Sequence, residues 1–413
     1  MNILMVIPYF KPEITAIIHL MEDLAFDFEK YGAQVTIVTG FPIRGLDPIE
    51  RKKYYHKEVE QLSKNIKIMR VGSKSGEGNS LASRGFKYLA KTFVFYSTSK
   101  KVSADVIYLY STPPSMGMIG AWLSKKVPTV YCLQDIFPDN LSAQGMIKKN
   151  SLIFKLFSIM EAYIYKNNTH IVTISKDMKR NLMVKKIDSN KITVIGNWID
   201  TEELKYIPRE ENPLFDEYKL EKKGFYVSYC GNLGYAQDID IILACAKVTL
   251  TSQFEIKYII IGSGVYKEHI MKRIKEENIN NIYVFPLRPE KDSAYVYSLG
   301  DIGLITLKKE MSGYAMPSKT WAMMSASQPL ICTAEENTEI CNTIRETHSG
   351  IVIKPGDYYE LARQIIRLYR EQAELGEFGR NGRLYAEKKL SRESATMNYF
   401  NLLSEVAGKA RKK

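Results

Sequence analysis

The chain opens on a nearly unbroken apolar run, NILMVIPYF (2–10), and the pattern then recurs. AQVTIVTG (33–40), IKIMRVG (66–72), ADVIYLYS (104–111), VPTVYCL (127–133), THIVTIS (169–175) and KITVIGN (191–197) are all short and rich in β-branched residues. Most are apolar without alternation, as strands covered on both faces must be. Between several of them, apolar positions recur at helical spacing, over 15–31, 80–100, 114–126 and 151–167. Strands alternating with helices predict a parallel, doubly wound sheet. A polar, Pro-containing stretch, 200–224, breaks the pattern and reads as an inter-domain region. The alternation restarts with FYVSYCG (225–231), FEIKYIIIGSG (254–264), NIYVFPL (281–287), IGLITL (302–307), PLICTA (329–334) and GIVIKP (350–355). This predicts a second α/β sheet. Residues 357–413 are mostly helical in pattern.

A length of 413 residues is too great for one ordinary core and agrees with two domains. The expected division is 1–200 and 201–390, with 391–413 a C-terminal helix and basic tail crossing back to the N-terminal domain. Ligands of doubly wound sheets bind at the carboxyl ends of the strands, here in a cleft that the two domains face. The chain is 45% hydrophobic and 25% charged, the balance of a soluble globular protein. No stretch approaches the ~18 uninterrupted apolar residues of a spanning helix. The start, MNILMVIPYF, lacks the basic segment and cleavage site of a signal peptide, so a cytoplasmic location is expected. The five cysteines form no CxxC pair and the five histidines are dispersed, so no metal is expected. A net charge of +12 fits nucleic acid, anionic lipid, an anionic substrate or simply a solvated basic surface. No nucleic-acid-binding module is recognisable.

The loops after the strands carry the candidate chemistry. In YCGNLGYAQDI (229–239), Gly231 and Gly234 allow a tight turn and close approach to a ligand, with a helix N-terminus behind them for a phosphate. An ordinary strand-to-helix turn is the alternative. Gly262 and Gly264 repeat the pattern, for packing or for contact. In MPSKTWAMM (316–324), Pro317 suits a first helical turn, and Ser318 and Lys319 bring a hydroxyl and an ammonium to one point, which suits a diphosphate. A solvated lysine at an ordinary helix start is the alternative; Trp321 and Met324 read as core. In LQDIFPDN (133–140), Asp135 and Asp139 are carboxylates suited to orienting an acceptor hydroxyl or acting as a base, unless one caps the next helix. Near the first helix start, Glu13 is a third carboxylate and Thr15 a cap.

Taken in order, PYFKPE, YGAQVTIVTGFP, QDIFPD, VTISKDMKRNL, VIGNWID, YCGNLGYAQDI, IIIGSGVYKEHI, NIYVFPLRP, LGDIGLITL, MPSKTWAMMSASQPLI and SGIVIKPGD resemble GT-B-fold glycosyltransferases of the family 4 type. The subgroup resembled is the bacterial capsule, O-antigen and colanic-acid transferases, including N-acetylfucosamine transferases. The resemblance implies that Gly231, Asn232 and Gly234 face the donor diphosphate. It also implies that Leu287 and Arg288 lie where the loop backbone meets the base, and that Ser318 and Lys319 lie near the diphosphate and donor sugar. Two features depart from the family. Its pair of glutamates eight positions apart falls on Tyr314 and Ala322, and Ser327 replaces a usual glycine. Glu310, Glu335, Glu336 and Glu339 are the nearby acids.

The implied activity is transfer of a sugar from a nucleotide sugar, UDP-linked and with N-acetylfucosamine as one reading, without metal or cofactor. The implied acceptor is a polyprenyl-diphosphate-linked saccharide at the cytoplasmic face of the membrane. Two basic, aromatic stretches, 83–101 with Arg84, Lys87, Lys91, Lys100 and Lys101, and 148–168, suit helices lying on anionic lipid. Domain-packing helices with basic edges are the alternative. A sugar-nucleotide 2-epimerase and a non-catalytic binding subunit are the other expected functions. A dehydrogenase is disfavoured because no GxGxxG follows the first strand.

Overall fold

A computed structural model describes residues 1–13, 17–74, 81–143, 145–309, 317 and 319–411, without the side chains of 81–87 and 411. Thr15, Glu310, Tyr314 and Ser318 lie outside the described residues, as do the side chains of Arg84 and Lys87.

The chain forms two compact units, one of Met1–Asn197 with Arg392–Lys413 and the other of Trp198–Ser391. The first unit holds β1 (Asn2–Val6), β2 (Gln34–Gly40), β3 (Val59–Gln61), β4 (Ile66–Val71), β5 (Val106–Tyr110), β6 (Thr129–Leu133), β7 (His170–Thr173) and β8 (Ile192–Val194). They lie in the order β3-β4-β2-β1-β5-β6-β7-β8. All pairs are parallel except β3 with β4. Sequence reasoning misses β3, a polar three-residue edge strand with no hydrophobic period to betray it. β5 and β6 are buried along their whole length, as their continuous apolar runs require. Chain order reverses between β1 and β5, so the loops leaving the carboxyl ends of these strands flank a switch point.

The C-terminal helix Arg392–Arg411 belongs to this first unit. Arg392 grips Asp27 on the helix Ile18–Lys30 through two bonds of 2.8 and 2.9 Å. Phe400 packs on Phe28 and Tyr31, and Tyr399 reaches beneath the sheet to Tyr108 and the Cys132 thiol. Tyr399 and Tyr108 are fully buried, so their contact stabilises the docking mainly through apolar area.

The second unit holds β9 (Phe225–Asn232), β10 (Ile256–Ser263), β11 (Ile282–Phe285), β12 (Ile302–Thr306), β13 (Leu330–Thr333) and β14 (Gly350–Ile353). Their order is β11-β10-β9-β12-β13-β14, all parallel, with the reversal between β9 and β12. The polar stretch 200–224, read from sequence as the inter-domain region, lies at the start of the second unit and is held to it. Arg209 within it donates to Lys222 O and Gly224 O and pairs with Asp301 at 2.6 Å, while Leu214 and Phe215 enter the core. A few apolar anchors and one well-bonded arginine hold a segment whose average composition is that of a loop.

All five cysteines are buried and outside any disulfide, Cys341 included, although its surroundings in sequence are polar. It lies on the inward face of the helix Glu339–Thr347 with Ile340 and Ile344. Trp321 and Met324 are core residues, as their spacing predicts.

Candidate functional site

In the second unit the donor-side candidates gather at the carboxyl end of β9. Gly231 has φ +139, a conformation open to glycine, and sits opposite Gly262 in the parallel ladder. A Cβ on Gly262 would stand 2.3 Å from Gly231 O, and one on Gly264 would stand 2.3 Å from Leu233 O. Those two glycines therefore serve packing, bringing the turns after β9 and β10 together. Asn232 is exposed at the strand end, with Tyr229 Oη donating to its carbonyl at 2.8 Å. Gly234 begins a 3-10 turn at Tyr235–Gln237, so the helix Ile239–Leu250 starts further on than the turn motif suggests.

Lys319 approaches the same point from another direction. It opens the short helix Lys319–Ser325, so Pro317 stands ahead of the helix instead of in its first turn. The lysine runs beneath Gly231, its Cδ 3.7 Å from where a Gly231 Cβ would lie. Its Nζ rests 3.5 Å from the centre of the Tyr229 ring. That nitrogen is buried and has no hydrogen-bond partner among the described residues. Desolvation pulls its pKa down to about 7, with the Cys230 and Cys332 thiols opposing weakly. An ammonium removed from water, facing only a ring, is a costly arrangement unless an anion arrives to meet it. The solvated-lysine reading is thus wrong: composition cannot show that the β9 turn lies over this side chain. Tyr229 was also hidden, because within an apolar strand it reads only as core.

Leu287 is exposed on the loop after β11. The Arg288 side chain is occupied, held by Glu217 at 2.7 Å and Asp292 at 2.9 Å. Beside it the Tyr218 and Phe285 rings stack at 3.8 Å, nearly parallel. Ala322 is buried on the helix of Lys319, so no carboxylate stands one turn from the lysine.

In the first unit the three candidate carboxylates have different fates. Glu13 is buried, its Oε1 accepting from Ile43 N at 2.9 Å and Arg44 N at 3.1 Å. Its Oε2 has no donor among the described residues, and burial raises its pKa against those two amides. Asp139 is not in the loop: it opens the short helix Asp139–Ala143 and pairs with Lys185. Lys185 also meets both oxygens of buried Glu161, at 2.8 and 2.7 Å. The three form a structural ion cluster that sequence separation conceals. Asp135 stays in the loop after β6, at the mouth of a recess shared with Ser111 and Glu161. It is open to solvent, and partial desolvation lifts its carboxyl above the usual value. Of the three, Asp135 alone is accessible and unengaged among the described residues.

The described residues contain no group of three or more His, Cys, Asp and Glu placed to hold a metal ion. Among them, no helix is long and apolar enough to cross a membrane.

Comparison with known proteins gives this geometry a family. A family model described as Glycosyltransferase Family 4 matches residues 20–203, and one described as Glycosyl transferases group 1 matches residues 210–385. The probable glycosyltransferase WbjE of Pseudomonas aeruginosa is 28% identical over 70% of this chain and 72% of its own. The capsular polysaccharide biosynthesis glycosyltransferase CapM of Staphylococcus aureus is 23% identical over 72% of this chain and 78% of its own. The Anabaena protein Alr3699/HepE, solved in complex with UDP and glucose, superposes with a TM-score of 0.71. That match covers 98% of this chain and all of that one at 15% identity, which speaks to fold. With two largely parallel sheets and both halves matched, the chain is a GT-B-fold glycosyltransferase, built from a family 4 domain followed by a group 1 domain.

Proposed function

We propose that this glycosyltransferase moves a sugar from a UDP-sugar to a polyprenyl-diphosphate-linked saccharide during synthesis of a bacterial surface polysaccharide. The observation that carries the donor half is Lys319, whose buried nitrogen lies beneath the β9 turn with no hydrogen-bond partner among the described residues. A diphosphate lying on the Gly231–Gly234 turn supplies the missing anion, and Lys319 then offsets the charge that grows on the leaving UDP. That role needs no metal. Asn232 and Ser318 flank the diphosphate, and the backbone at Leu287 and Arg288 meets the base. The complex of HepE with UDP supports UDP as the nucleotide, and the subgroup resemblance is the ground for N-acetylfucosamine as the sugar. CapM and the colanic-acid glycosyltransferase WcaI of Escherichia coli lend the polysaccharide context.

On the acceptor side, Asp135 is the carboxylate placed to orient the attacking hydroxyl; Glu13 holds the amides of Ile43 and Arg44, and Asp139 pairs with Lys185. The acceptor's membrane setting fits the charge pattern. Between Glu77 and Asp135 the sole carboxylate is Asp105, against seven Lys and Arg. Between Asp139 and Asp177 it is Glu161, against five lysines. On the helix Leu152–Asn167, Leu152, Ile153, Leu156, Ile159 and Tyr163 are all exposed, with Lys155 beside them. An acid-free apolar stripe with basic flanks suits the inner, anionic face of a cytoplasmic membrane.

The test is transfer of radiolabel from a panel of UDP-sugars to a butanol-extractable product, with a bacterial lipid extract as acceptor source. Label in lipid together with released UDP supports the proposal. Altered UDP-sugar without lipid extract points instead to an epimerase. UDP binding with no turnover points to the binding subunit suggested by Ala322. Anionic vesicles should co-sediment the protein at low salt; failure to do so removes the membrane part.

A further inference from the structure

We propose that Tyr229 is a positioning residue for sugar transfer: its ring holds the Lys319 ammonium and its hydroxyl ties down the β9 turn, so one side chain fixes both parts of the diphosphate cradle. This rests on the reading that the donor diphosphate lies on that turn above Lys319.

The arrangement begins with strand geometry. Tyr229 and Gly231, two positions apart on β9, share one face of the strand. Gly231 has no side chain there, and Lys319 passes beneath it, its Cδ 3.7 Å from the place of the missing Cβ. The Tyr229 ring is buried and runs forward along the strand, so its hydroxyl donates to the Asn232 carbonyl at 2.8 Å. Lys319 ends over this ring, with Nζ 3.5 Å from its centre. The hydroxyl holds the turn and the ring face holds the cation, and both belong to one rigid group.

An aromatic holder has a consequence for the chemistry. A ring face attracts an ammonium without carrying a charge of its own. A carboxylate in that place would keep the lysine protonated but would also cancel its charge and repel a diphosphate. The ring therefore places the charge and leaves it for the ligand. The titratable groups that face Lys319 are the Cys230 and Cys332 thiols; Tyr297 faces Cys230 in turn, and Cys341 and Arg345 face Cys332. Burial raises the Tyr229 phenol and the Cys230 thiol above their usual values, and the bond to Cys341 raises Cys332. Around neutral pH the group of this cluster that titrates is thus the lysine, pulled down to about 7 by burial.

The test separates the ring from the hydroxyl. UDP is titrated calorimetrically into the full chain from pH 6 to pH 9, for wild type, Tyr229→Phe and Tyr229→Leu. Tyr229→Phe keeps the ring and should weaken UDP about threefold at every pH, leaving the shape of the pH profile unchanged. Tyr229→Leu loses the ring, which favours the neutral lysine, so the pH at which affinity falls should move down by about half a unit to one unit. At pH 8 its UDP affinity should be at least about tenfold weaker than wild type's. Tyr229→Met, flexible enough to fill the same space, gives the same reading should Tyr229→Leu not fold. An unmoved pH profile in the ringless variant overturns the proposal, as does unchanged affinity in Tyr229→Phe. A second arm needs no ligand. In urea unfolding, the double-mutant cycle of Tyr229→Leu with Lys319→Met should show coupling of about threefold or more in the folding equilibrium at pH 6, shrinking at pH 10 where the lysine is neutral. Coupling of that kind in a protein that binds no UDP would sink the donor reading and keep the ring's hold on Lys319. Normal UDP binding with coupling that pH does not change would do the reverse.

Discussion

Two half-buried lysines, one in each unit, show how differently the same side chain can be used. Lys185 is met by Asp139 and by both oxygens of Glu161. Lys319 is met by the face of Tyr229 and, among the described residues, by nothing that can accept its protons. The first is a closed cluster in which each charge offsets the desolvation of the others. The second carries its desolvation cost unrelieved, and burial pulls its pKa down to about 7. A fold that keeps such a group keeps it for what comes to the site, since a hydrophobic side chain there would be easier to bury.

Breaking each lysine should therefore move stability in opposite directions. Lys185→Met leaves Glu161 and Asp139 without their counter-charge and should destabilise the first unit by about 3 kcal/mol, read from urea unfolding. Equal stability would mean that the cluster is relieved by water. Lys319→Met removes an unpaired buried charge and should stabilise the ligand-free protein by about 1–3 kcal/mol near pH 6. The sign follows from proton binding. The lysine titrates at 10.5 unfolded and about 7 folded, so the folded state binds fewer protons between those values. The cost of burying it is absent above pH 10.5, grows as pH falls, and is complete below about 7. The advantage of Lys319→Met should shrink steadily from pH 6 to pH 10; a constant advantage would argue for packing rather than charge.

Ligand binding sharpens the comparison further. A diphosphate favours the charged lysine, so UDP affinity should fall as pH rises above 7, by at most about tenfold per unit. Lys319→Arg stays charged and should flatten that profile even if its affinity is lower. The smallest effect is expected at Arg288, whose guanidinium is already held by Glu217 and Asp292. Arg288→Ala should cost no more than about 1 kcal/mol of stability. It should also change UDP affinity less than threefold by calorimetry, because the backbone there, not the side chain, is assigned to the base.

What could be read from the chain itself follows from the range of the signals. The two sheets were legible because parallel strands buried on both faces are largely apolar, as β5 and β6 are. The edge strand β3 was not, because its three residues, Val59, Glu60 and Gln61, carry no period. The stretch 200–224 looked like a linker because Arg209 finds its partners through folding, at Gly224 and Asp301. Lys319 was visible as a cation beside a turn, but its burial under Gly231 depends on a neighbour 88 positions away. Asp139 and Lys185 are likewise assembled by topology and have no local pattern.

The most direct measurement is calorimetric titration of UDP into wild type and Lys319→Met at pH 7, with melting temperatures recorded for both. The account predicts binding to wild type, loss of most or all of it in Lys319→Met, and a melting temperature for the variant no lower than wild type's. Equal UDP affinity in the two proteins would contradict it and would leave Lys319 a buried charge without an anion to meet.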